Sequence, residues 1–429
     1  MINQGISLDG FGRQDMARYD NEPQWLRSRR VRAEAALAGM SFPTPDEEVW
    51  RYSRVEEVQS LGLKMELASP IVTRRHALWD GIPELAVPLA KAAGIFVLVS
   101  HGKAEYYMPG ESQNFAFGPS SDFAVEVAGE INSSDDYFNL FAKAFSNDTY
   151  SLVVNANAVI DSPIVVCYDE TVTGLGFLPH LIVSAGPSSS ASLVEVFLGG
   201  NRESFLATST EVHLGEGARF SHFQIQDLDE GAFQSAFVES AIGAGAVLLF
   251  GAFSFGGYYA RIRSESHLVG EGARAELKAA YFASDNQMLD FRTLQDHHSP
   301  NTYSDLLFKG AVAHKSHSVY SGLVRIEEGA TRSDAFQTNR NLVLSDGARA
   351  DSVPNLDIRE NNVRCSHASA VGPIDPELVF YLASRGIEPS RAERIIVRGF
   401  FKEILEGINS DELVEIVSSL VAKRLEELD

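Results

Sequence analysis

Three textures of hydrophobic and polar positions succeed one another along the chain. In the first, Asn21 and Glu22 ahead of Pro23 form a helix start, Trp25, Leu26, Val31, Ala35 and Leu37 supply an apolar stripe, and Gly39 is a stop. Pro43 and Pro45 break the chain before residues 46–52, and 95–99 is a strand-like run, so residues 1–146 read as a mixed helical and α/β region. From about 147 to 373, short β-branched and aromatic runs are separated by Gly, Ser, Asn and Asp. There Ala260, Ile262, Ser264, Ser266 and Leu268 fall on one face of a strand, with Arg261, Arg263, Glu265 and His267 on the other. Helical spacing returns after Pro373. Asp375-Pro376 opens a helix that Gly386 closes, Ser390 and Glu393 form a capping box for a second ending near Gly407, and Asn409 or Ser410 caps a third. In that third helix Leu413, Ile416, Val417, Leu420, Val421 and Leu425 recur at helical intervals, so 374–429 reads as a small helical domain.

The middle texture contains a repeat. An aliphatic residue stands three positions before a Gly-Ala pair six times: Leu214 before Gly217-Ala218, Ile242 before Gly245-Ala246, Val269 before Gly272-Ala273, Leu307 before Gly310-Ala311, Ile326 before Gly329-Ala330, and Leu344 before Gly347-Ala348. Successive glycines are 28, 27, 38, 19 and 18 residues apart. That is too irregular for a helical array or a propeller and fits β-solenoid rungs carrying insertions. Each glycine would turn a corner and each alanine would start the next strand beneath the rung above. The expected fold is therefore mainly β, a parallel β-helix over 147–373 with helical regions at both ends. A sandwich would need evenly spaced Asn-Gly or Asp-Gly hairpins, and only Asp9-Gly10, Asp80-Gly81 and Asp346-Gly347 occur.

Composition narrows the function. At 429 residues the chain can bury a large core, and its two cysteines, Cys167 and Cys365, build neither a disulfide framework nor a four-thiolate zinc site. With no basic segment followed by an apolar one in residues 1–16, the expectation is a reducing, cytoplasmic setting. The formal charge of -22 disfavours nucleic acid and anionic membrane surfaces as partners. Residues 241–260 carry no charge, but five glycines interrupt them and 247–250 is only strand length, so no membrane span is expected. Arg27, Arg29, Arg30 and Arg32 read as a solvated helix face beside acidic neighbours.

The common catalytic signatures are absent: no P-loop, no dinucleotide fingerprint followed by a ribose-binding acid, no nucleophile elbow, no His-Glu-x-x-His and no Cys-x-x-Cys. His297 and His298 are adjacent, and in extended chain their rings point apart, so one metal cannot take both. His314 and His317 fall on opposite strand faces, and all four are expected to be solvated or hydrogen-bonded. Cys365-Ser366-His367 differs, because positions i and i+2 of a strand share a face at about 7 Å. A thiolate and an imidazole there could converge on a soft metal or a sulfur species, with the other ligands coming from a partner or from sulfide. The competing reading is a buried cysteine acting as a small hydrophobe beside a hydrogen-bonded histidine.

Asp334-Ala335-Phe336-Gln337-Thr338-Asn339-Arg340-Asn341-Leu342, Leu344-Ser345-Asp346-Gly347-Ala348, and Cys365-Ser366-His367 through Phe380-Tyr381-Leu382-Ala383-Ser384-Arg385-Gly386-Ile387 resemble the SufD family. These proteins are subunits of the bacterial and plastid SufBCD iron-sulfur assembly complex. Phe42-Pro43 to Trp50-Arg51-Tyr52 is similar to the family's N-terminal motif. The resemblance is strong over about 205–405 and weak over 60–200. It implies a right-handed parallel β-helix that pairs with a SufB paralogue, and C-terminal helices that dock the ABC-type ATPase SufC. It also implies that Cys365 and His367 face a nascent iron-sulfur cluster or iron, held transiently and shared with the partner subunit. In SufB a cysteine matches Asn339 and a glutamate matches Ala368, so the resemblance is to the accessory, non-catalytic subunit. Whether a flavin binds is left open by the residues. The other readings are a secreted-type β-helix enzyme acting on polysaccharide and a homo-oligomeric structural solenoid.

Overall fold

The computed structural model describes residues 19–428, apart from 62–63, 66–70, 101–102, 111, 124–125, 130, 132–135, 147–148, 171–174 and 201–203. The leader expectation for residues 1–16 and the Asp9-Gly10 turn lie outside the described residues.

Strands of alternating order fall into two eleven-stranded sheets, so each chain segment crosses from one sheet to the other and back. Pairing is parallel throughout the body. Antiparallel pairs occur at the N-terminal end, between Ile95–Ser100 and Lys103–Tyr107 and between Phe115–Pro119 and Thr149–Val154. The result is the expected parallel β-solenoid. In one sheet the strands begin at residues 190, 219, 247, 274, 303, 334 and 364, which is 27 to 31 residues per rung.

The corners explain that period, and they differ from the Gly-Ala expectation. A residue with positive φ recurs at Asn157, Ser188, Gly217, Gly245, Gly272, Asn301 and Arg332. Each donates its backbone N–H to a carbonyl one rung further on, those of Pro187, Glu216, Ala244, Glu271, Pro300, Thr331 and Asn362 in turn. Three of the six Gly-Ala pairs belong to this series. Gly329 also has positive φ but precedes the corner residue Arg332, Gly347 sits at the opposite corner, and Gly310 lies inside the strand Tyr303–Val312. The missing corners are filled by asparagine, serine and arginine, which a search for glycine cannot find.

Three apolar layers result. Inside the solenoid, Leu206, Ile262, Leu277, Phe291, Phe308 and Tyr320 pack together. Over the outer face of one sheet, Trp50, Tyr137, Phe138 and Phe141 cover Phe205, Phe233, Tyr259 and Met288. Over the other, Val397, Phe401 and Ile404 of the helix Pro389–Leu405 and the whole apolar stripe of Asp411–Glu426 cover Phe223, Ile225, Phe253 and Phe282. Each fully buried side chain of this size contributes about 1.5–3 kcal/mol. These two helices therefore share a core with the sheet. The uncharged stretch 241–260 is a corner followed by the strand Val247–Ser254, and among the described residues no helix is long and apolar enough to cross a membrane.

Of the N-terminal arginines, Arg27 and Arg32 are exposed, Arg27 beside Asp20, as expected of a solvated face, but Arg29 and Arg30 are buried. Arg29, 5% exposed, pairs with the buried Glu211 at 2.9 Å, and Arg30 donates to Glu22 while its guanidinium lies 3.9 Å from the Tyr19 ring centre. Val31, expected in the apolar stripe, points outward instead. The helix Gln24–Leu37 docks partly through charge because the sheet face beneath it presents acids.

Candidate functional site

The final rung consists of Arg349–Ile358 and Arg364–Gly372, and each strand ends its sheet. Among the described residues, neither has a neighbour on its outer edge. Such an edge presents unpaired backbone donors and acceptors, which a further strand can satisfy. Val353, Leu356, Ile358 and Val371 are exposed on this rung, so its apolar surface is open as well.

Cys365 and His367 lie on the last strand. Its register pairs Cys365 with Ala335 and His367 with Gln337, and Ala335 and Gln337 are buried. Side chains alternate along a strand, so Cys365 and His367 continue the inward-facing column at the open mouth of the solenoid. Cys365 is half-buried, packing with Val324, Ile326 and Ala335, and burial pushes its thiol above the ordinary range. His367 is exposed. Cys167 is fully buried seven strand positions away in the same sheet, roughly 34 Å at the usual inter-strand spacing, and cannot join them.

Below this mouth the interior turns polar. The side-chain amide of Gln337 is buried with no hydrogen-bond partner among the described residues. Asn339 Nδ2 donates to Tyr281 Oη at 3.0 Å, Tyr281 donates to Asn341 Oδ1 at 2.7 Å, and Asn341 Nδ2 donates to Asn339 Oδ1 at 2.7 Å. Sequence reasoning used Gln337, Asn339 and Asn341 only as carriers of a resemblance. Their alternation with Phe336, Thr338 and Arg340 was the signal that they share the face of Cys365 and His367.

His297, His298, His314 and His317 are hydrogen-bonded, as expected. His297 is buried between Thr302 Oγ1 at 2.7 Å and Ser304 Oγ at 2.8 Å, and burial lowers its pKa to about 4. His317 lies 2.7 Å from Asp351, and His314 accepts the backbone N–H of Asp285. His298 turns away from His297 and meets Asp296 and, across the rung, His267. Sequence spacing missed that cluster.

Comparison with known proteins agrees with this architecture. Residues 168–400 match the family described as SUF system FeS cluster assembly, SufBD core domain. An iron-sulfur cluster assembly SufBD family protein of Mycobacterium tuberculosis is 37% identical over 297 residues, covering 66% of this chain and 74% of the relative. The iron-sulfur cluster assembly protein SufD of Escherichia coli is 27% identical over 257 residues, 60% of each chain. That of Bacillus subtilis is 24% identical over 287 residues, 66% of this chain and 65% of the relative. With the solenoid and its open last rung in place, these matches establish that the chain belongs to the SufBD family of the SUF iron-sulfur cluster assembly system and is SufD-like.

Proposed function

We propose that this chain is a non-catalytic subunit that pairs with a SufB-like paralogue through its last rung, docks a SufC-like ABC ATPase through its C-terminal helices, and offers Cys365 and His367 to iron or a nascent cluster at the subunit interface. The observation that carries the reading is the open rung itself. It leaves two sheet edges unpaired and sets a thiol and an imidazole side by side on the inward face at the mouth. Two protein ligands do not close a tetrahedral site, so the remaining ligands must come from the facing subunit or from sulfide. Cluster and iron are cargo here, released onward. A polysaccharide-active enzyme is disfavoured by family membership.

Support for ATPase docking comes from the helix Pro376–Ala383, none of whose residues is buried. Leu378, Phe380 and Tyr381 are exposed on it, Phe380 at 75%.

Co-expression with a SufB-like chain and an ABC ATPase, followed by affinity capture at moderate salt, should recover all three. Failure to retain either partner sinks the assembly reading. In the recovered complex, His367→Ala should leave assembly intact and lower reconstituted cluster yield several-fold. An unchanged yield would remove His367 from the site.

A further inference from the structure

Two rungs before the open mouth, and on the outer face of the other sheet, His267, Asp296 and His298 meet. His267 ends the outward column of Tyr259–Leu268, its ladder partner Asp296 stands at the same register of Met288–His297, and His298 follows that strand. His267 Nδ1 lies 3.2 Å and His298 Nε2 2.9 Å from the same oxygen, Asp296 Oδ2, and one ligand atom of each residue falls within 4.8 Å of the others.

We propose that these three side chains form a binding site for a divalent transition-metal ion, separate from the Cys365 and His367 pair. Adjacent ligands around such an ion at about 2.1 Å stand about 3.0–3.4 Å apart in octahedral or tetrahedral geometry, which the 2.9 and 3.2 Å separations to Asp296 approach, the two imidazole nitrogens lying within 4.8 Å of each other. Two imidazoles and one carboxylate with remaining positions open suit iron(II), cobalt(II), manganese(II) or zinc(II). A second observation points to a ligand. Asp296 Oδ1 is buried without a hydrogen-bond partner among the described residues, on a side chain 5% exposed. On the other side of the ring, Glu265 Oε2 lies 3.7 Å from His267 Nε2 as an ion-pair partner, the carboxylate–histidine–metal arrangement that orients metal-binding imidazoles. Arg325, 3.9 Å from Asp296 Oδ2 and 3.5 Å from Asp357, weakens the attraction of the site for a cation and limits it to modest affinity. His298, 41% exposed, provides the route in.

Cobalt(II) is the probe, titrated into the full chain carrying Cys365→Ala and His367→Ala so that the open mouth contributes nothing. One equivalent should bind, giving visible ligand-field bands without thiolate charge transfer. Adding His298→Ala, a change at a partly exposed side chain outside the core, should weaken the dissociation constant at least about tenfold, comparable to or beyond loss of an outer-shell partner. His314→Ala, a surface histidine on a different corner, should leave it unchanged. No saturable binding in the double variant, or equal weakening by His298→Ala and His314→Ala, would overturn the site. Either result is separate from the cluster-yield test of His367.

Discussion

Asp290 shows how single residues fasten the N-terminal region to the solenoid. Its carboxylate accepts from Arg292 Nε at 2.6 Å, Arg261 Nη1 at 2.9 Å and Tyr259 Oη at 3.2 Å. Trp50 lies over Arg261, 3.9 Å from ring centre to guanidinium, and Arg292 donates to the carbonyl of Arg51. The motif containing Trp50 thus reads, in the fold, as a lid over a buried charge cluster. Burial alone would raise the Asp290 carboxyl, but Arg292 and Arg261 outweigh it and hold the group below the usual carboxylate range. A depressed carboxylate stabilises above its unfolded pKa of about 3.9, and that contribution is lost as pH falls through its lower folded value. Asp290→Asn should therefore lose about 3–5 kcal/mol at neutral pH by denaturant unfolding, because two guanidiniums lose their counter-charge. The gap between variant and parent should close as pH falls below about 4. Equal stability at pH 7 would mean that the cluster contributes nothing.

At the scale of the element, the rung is set by its corners, and two glycines of one apparent repeat test that. Gly245 has φ +60° and open space where a Cβ would stand, so Gly245→Ala should cost only the left-handed conformation, about 1–2 kcal/mol. Gly310 lies inside a strand, where a Cβ would overlap the Tyr281 ring and meet Asn341 Oδ1. Gly310→Ala must displace that ring and should cost more than Gly245→Ala in the same unfolding measurement; the reverse order would contradict the assignment of corner and interior. This contrast also marks what was legible in the sequence. Strand alternation at 260–268 and the three-helix end could be read because both depend on neighbours in the chain. Asn301 and Arg332 could not be read as corners, since their shared role lies in a hydrogen bond to a carbonyl one rung away. His267 and His298 stayed apart for the same reason. Cys365 and His367 were legible because they sit two residues apart on one strand, whereas the polar floor beneath them comes from the preceding rung.

In the whole molecule, the C-terminal helices comprise a cover for one sheet and a proposed ATPase dock, which a deletion would confuse. Asp411–Glu426 and Pro389–Leu405 cover the apolar outer face of a sheet, reinforced by Arg424 to Asp227 at 3.1 Å and by the Lys309 ammonium on Glu403 and on the carbonyl of Phe400. Removing everything after Gly372 would uncover Phe223, Ile225 and Phe253, so that any loss of the proposed ATPase binding could not be told from damage to the sheet. Pro376–Ala383 stands clear of that core and can be altered alone. Replacing Phe380 and Tyr381 by Ser removes an apolar surface that contributes little to folding, so the melting temperature should move by no more than about 2 °C. Capture of the ABC ATPase should fall at least about tenfold if these rings are buried anchors of that interface, since anchor truncations commonly cost 2 kcal/mol or roughly more. Capture of the SufB-like chain, for which the last rung is the proposed interface, should be unchanged. Retention of the ATPase by a stably folded variant would move its dock away from this helix while leaving the edge-pairing proposal untouched.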